Sequence, residues 1–146
     1  MMKGRNETKE RRKCQVDKVS SIIDKEWKNK NYKGNFIVMG DFNDYEDENT
    51  SLKSLLEHPQ LENVIKRLPK EEQWTHYYKG EDKYHQLDYI LISKELSKKN
   101  KNQKPIIFRK GQPYRAKLYE GFRYFGIGEH TPKSSDHCPV YIDLNL

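Results

Sequence analysis

A chain of 146 residues, 34% charged and 34% hydrophobic with a net charge of +6, has room for one domain and for burial of about two-thirds of its unfolded surface. Nothing in it approaches the roughly 20 consecutive apolar residues of a membrane-spanning helix. The charged start MMKGRNETKERRK lacks the apolar core of a secretory signal, and Cys14 and Cys138 are too few for a disulfide framework or a thiolate metal site. A cytoplasmic location is therefore expected, and 10 Tyr, 5 Phe and 2 Trp argue for a packed core over disorder.

In chain order, residues 1–10 read as a charged leader. The stretch from 10 to 30 reads as an amphipathic helix, because Val16, Val19, Ile22, Ile23 and Trp27 recur at three- and four-residue steps. Phe36-Ile37-Val38-Met39 is a continuous apolar run, as expected of a strand covered on both faces. It ends at Gly40 and gives way to a polar loop. A short helix over 51–57 is expected next, capped by Asn49, Thr50 or Ser51. Pro59 and Pro69 bracket a short element around Val64 and Ile65. Residues 74–79 and 86–93 read as the two strands of a hairpin that turns at Lys79-Gly80-Glu81-Asp82. A Lys/Asn-rich connection over 97–105, a strand at 106–108, a Gly-, aromatic- and base-rich stretch at 111–135 and a last strand at 139–144 complete the chain.

Charge is unevenly spread. Residues 1–33 hold eleven Lys/Arg against five Asp/Glu, and 94–117 hold nine against Glu95 alone, whereas 41–48 hold five acids and no base. Basic tracts around an acidic centre suit a phosphate-rich ligand with a cation between protein and phosphate. They equally suit a solvated surface.

Three segments carry chemistry. In GDFND, residues 40–44, Asp41 and Asn43 share one face of an extended segment. A carboxylate there can orient or deprotonate water, and an amide can donate to a phosphoryl oxygen; a turn of Asp and Asn is also a common structural device. In HQLDYILIS, residues 85–93, Asp88 shares its face with Ile90 and Ile92. It is either a solvated strand end or a carboxylate compensated by a partner, such as a histidine or a metal-bound water. In SSDHCPVYIDL, residues 134–144, Asp136 and His137 point to opposite sides and can serve separate tasks.

The order strand-GDFND, LDYIL, SDHCPV resembles the second half of the endonuclease/exonuclease/phosphatase superfamily. The segments RRKCQ, RLPKEEQWTHYYKGEDKYHQLDYILIS and RKGQPYRAKLYEGFRYFGIGEHTPKSSDHCPV are similar to its bacterial members. The resemblance implies an α/β fold, with residues 11–146 forming the C-terminal half of a four-layer α/β sandwich. Its sheet would be mixed and largely antiparallel with flanking helices, and the N-terminal half, which carries a metal-ligand glutamate, would be absent.

The implied activity is a metal-dependent phosphodiester hydrolase of nuclease type, using Mg2+ or Mn2+, with little activity as a fragment. By the same resemblance Asp41 positions or activates water, Asn43 binds the phosphoryl group, His137 contacts the scissile phosphate and Asp88 orients His137. Asp136 and Asp41 are the implied metal ligands, and His76 in WTHYY is a substrate-side candidate that also fits a packing role. The expected partner is nucleic acid or another phosphodiester, together with a first half or a second copy. A phosphatase or sphingomyelinase-type hydrolase and a non-catalytic basic nucleic-acid-binding module are the alternatives.

Overall fold

The computed structural model describes residues 4–28, 34–130 and 135–146. A short helix α1 (Gly4–Glu7) leads into α2 (Lys9–Lys28), whose buried side is Val16, Ser20 and Ile23. Ile22, one step around the helix, is exposed, so the apolar stripe is narrower than the periodicity suggests. Strands β1 (Ile37–Asp41), β2 (Leu61–Asn63) and β5 (Asp88–Ser93) form an antiparallel sheet in the order β1-β5-β2. Between them lie α3 (Lys53–Leu56), a 3-10 turn at Val64–Arg67 and the hairpin β3 (His76–Tyr78) and β4 (Lys83–His85). Helix α4 (Lys94–Lys99) and the pair β6 (Ile106–Ile107) and β7 (Val140–Tyr141) follow. The architecture is α/β with antiparallel sheets. Among the described residues no helix is long and apolar enough to cross a membrane.

Alternation along the strands decides what covers the main sheet. Val38, Tyr89 and Leu91 join Val16, Ile23, Leu52 and Leu55 in a core beneath α2 and α3. On the opposite face Ile90 and Ile92 pack against Val64, Leu96, Val140, Ile142 and Leu144. Tyr89, Leu91 and Ile92 are almost fully buried, each stabilising the fold by about 1.5–3 kcal/mol relative to exposure. β1 lies at the edge, and its own residues on that second face, Ile37 and Met39, are 44% and 70% exposed. The expected two-sided cover of this strand is therefore corrected: one face is packed and the other open, because no described element reaches past β5.

Three further expectations change. The hairpin partner of residues 76–78 is 83–85; after Gln86-Leu87 the chain leaves this pair, and 88–93 joins the main sheet. Residue Leu52, not Asn49, Thr50 or Ser51, occupies the N-cap of α3, with no side-chain capping bond, because the Ser51 hydroxyl is drawn to Asp44. Residues 94–99, of which 97–99 are expected within the connection, are helical. Ser93 caps them by accepting from the Leu96 amide, a signal present in the sequence but hidden by the lysines.

A candidate metal-assisted phosphoester site

The site is assembled at one end of the main sheet. Antiparallel pairing sets Asp41, the last residue of β1, opposite Asp88, the first of β5. Gly40 at φ +144° and Asn43 at φ +50° let the chain turn immediately around Asp41; glycine and asparagine tolerate such angles best. Asn43 closes the turn on its neighbour, donating from its backbone N–H to Asp41 Oδ1 and from Nδ2 to Oδ2, both at 2.8 Å. Asp41 and Asn43 thus form one hydrogen-bonded unit.

His137 arrives from the C-terminal segment. Its backbone bridges to His76, and the Cys138 amide donates to the Thr75 carbonyl at 2.6 Å. His137 Nδ1 lies 2.8 Å from Asp88 Oδ2. One ligand atom from each of Asp41, Asp88 and His137 lies within 4.8 Å of the others, and the same holds for His76, Asp136 and His137. Asp136 stands beside buried His76, with Oδ2 3.5 Å from Nε2. The structure therefore brings together all six candidate residues, as two groups joined at His137. A cavity of about 600 Å³ opens beside Asp88 and His137, lined also by Met39, Ile90, Phe108 and Tyr124.

Two contributors escape a reading of sequence alone. Thr75, fully buried, holds the site segments together: its Oγ1 accepts from the amides of Leu87 and Asp88, both at 3.0 Å, while its carbonyl holds Cys138. Asp44 anchors the other end of the GDFND loop. Buried completely, it accepts from the Ser51 amide and hydroxyl and pairs with Arg5 and Arg12. Burial alone would raise the Asp44 pKa, but the Ser51 donors and Arg5 together hold it below the usual carboxylate range.

Two arginines toward the C-terminus are less available than their charge suggests. Arg109 lies over the Trp74 ring and donates to the carbonyls of Glu72 and Trp74; Arg123 donates to those of Gln112, Ala116 and Tyr119. These cations are fastened to the protein itself.

Adjacent carboxylates, a histidine held by one of them and an amide at the same turn are the equipment of a phosphoester-cleaving site that works with a divalent cation. The whole chain, residues 1–146, matches the sequence profile of the endonuclease/exonuclease/phosphatase family, and the chain belongs to that family. At the family level this points to phosphoester hydrolysis, in a family generally dependent on divalent metal. Neither the curated proteins nor the solved structures compared with the chain give a match.

Proposed function

We propose that the chain carries the water-activating and phosphate-binding part of a nuclease-type phosphodiester hydrolase that uses magnesium, with manganese able to replace it. The observation that carries this reading is the Asp41–Asn43 unit set opposite the Asp88–His137 pair. Oxygen-rich donors suit magnesium. Asp41 and Asp136 would hold the ion, each with a carboxylate oxygen within 4.8 Å of a His137 ring nitrogen. Bound there, the ion would offset charge on the phosphate.

The chain's own groups divide the remaining work. Asp41 orients the attacking water and accepts its proton. One N–H of the Asn43 amide is committed to Asp41, leaving the second for a phosphoryl oxygen. Asp88 engages Nδ1 of His137, which leaves Nε2 for the scissile phosphate. The exposed Ile37 and Met39 support a second part of this reading, in which another sheet, from an N-terminal half of the same fold, packs on the open face and adds a glutamate ligand.

Hydrolysis of plasmid DNA and of bis(4-nitrophenyl) phosphate tests both parts, with the chain alone and mixed with a family N-terminal half. Cleavage abolished by chelation, and lost in Asp41→Asn and His137→Ala, is expected at least for the mixture. No hydrolysis from a confirmed complex would sink the enzymatic reading. DNA binding that falls steeply with salt yet ignores Asp41→Ala would leave the basic binding module in its place.

A further inference from the structure

A second cavity, of about 290 Å³, adjoins the site through His76. The His76 ring lies 4.9 Å from that of His137 and 6.4 Å from that of Tyr78, so it forms a shared wall between phosphate site and cavity. Across the hairpin His76 stands opposite His85. His85 is stacked on Tyr45 with centroids 4.6 Å apart and planes 14° apart, and the Arg5 guanidinium sits 3.9 Å from the Tyr45 centroid. Arg5, Tyr45 and His85 come from α1, the GDFND loop and β4, three separate elements converging on one small hollow.

The charges of this cavity are already matched. Arg5 bonds Asp44 and both oxygens of Asp47, at 2.9 and 2.8 Å for the latter. Lys83 is paired with Glu81 at 2.7 Å. Burial, with the nearby His76, Lys83 and Arg5, lowers the His85 pKa and favours the neutral imidazole at neutral pH. Arg5 and His85 already cover the two faces of Tyr45, so what the walls offer a ligand is the ring surface of His76, Tyr78 and His85 rather than uncompensated positive charge. A second phosphate, as on an inositol polyphosphate, would find no free cation among the described lining residues. A flat, uncharged heterocycle would find aromatic walls, in a volume near the lower end of small-molecule sites at roughly 300–1,000 Å³.

We infer that this cavity receives a nucleobase flanking the scissile phosphate, which makes a single-stranded nucleic acid the substrate class. The inference rests on the hydrolase reading for its phosphate but can be tested without turnover. Base–aromatic stacking contributes about 1–3 kcal/mol per base, which is roughly a factor of 5–150 in affinity.

The experiment compares hexathymidylate with a hexamer of equal charge whose sugars lack bases, using the full chain in the presence of calcium to suppress cleavage. The base-bearing strand is expected to bind at least fivefold more tightly and to shift the Tyr45 and His85 ring resonances. Tyr45→Leu and His85→Leu, checked for folding by circular dichroism, should remove that preference while leaving inorganic phosphate affinity unchanged. Equal affinity for the two strands, with unmoved ring resonances, overturns the inference, as does tighter binding of inositol hexakisphosphate that the same variants weaken. The hydrolase reading fails separately: a strand that binds with the base preference but is never cut under magnesium would leave the subsite standing without the enzyme.

Discussion

Asp41 and Asp44 lie three residues apart in one loop, yet their surroundings are opposite. Asp41 is exposed, bonded to its near neighbour Asn43 and set opposite another carboxylate. Asp44 is sealed from solvent and held by Ser51, Arg5 and Arg12, groups 7, 39 and 32 positions away (51 − 44, 44 − 5 and 44 − 12). One end of the loop presents charge; the other end is tied down so that it can. Acidic density in a sequence therefore says little until each carboxylate is matched with its donors.

Replacement of Asp44 by alanine should have the largest effect on stability. Its removal takes the carboxylate from half-buried Arg12, leaves Arg5 with Asp47 alone and strands the Ser51 donors, and the expected loss is about 3–5 kcal/mol, read from the urea midpoint. Asp41→Asn should do the reverse. Stability stays within about 0.5 kcal/mol, while metal-dependent hydrolysis by the active preparation falls about 10²–10⁴-fold. Equal destabilisation by the two substitutions would erase the distinction between the two ends of the loop.

Thr75→Val sharpens the comparison from outside the loop. It keeps the side chain's shape but strands the Leu87 and Asp88 amides, at an expected cost of about 1–3 kcal/mol. Because Asp88 holds His137, the NMR resonances of the His137 ring should also move, whereas a merely structural defect would lower the urea midpoint and leave those resonances in place.

Acid provides the mildest test. The Asp44 pKa is lowered on folding, so its contribution is present above the unfolded carboxylate value, about 4, and is lost as pH falls through the folded value. The His85 pKa is also lowered, so its smaller contribution is full above the unfolded value, about 6.5, and declines as pH falls through the folded value. Stability measured from pH 7 to 3 should show a shallow decline and then a steeper one, the steeper limb reduced in Asp44→Asn to what Asp47 and Glu62, whose pKa values are also lowered, still contribute.

The site was more legible than the fold around it. GDFND, LDYIL and SDH are local strings whose spacing survives without knowledge of contacts, and the strand period already put Asp88 on the face of Ile90 and Ile92. The 3.6-residue stripe of α2 was equally readable. What supports the site was not. The Arg5–Asp44 pair joins residues 39 apart, and Thr75 acts through backbone amides, which no side-chain pattern reports. The exposure of Met39 depends on β1 being an edge strand, a fact of strand order and not of composition. The hairpin expected to close on 86–93 closes on 83–85 instead, and no glycine or proline at Gln86-Leu87 marks where the chain passes from one sheet to the other.

The pairing of Asp41 with Asp88 also has a consequence for how the molecule can vary. Side chains alternate along β1, so a slip of one residue would carry Asp41 to the α2 side and turn Val38 out of the core. The hydrophobic residues that choose the strand alignment therefore choose the position of the carboxylate as well. Insertions or deletions within Ile37–Asp41 should be far less tolerated than changes of side chain there. In this small sheet the core acts as the gauge against which the chemistry is set.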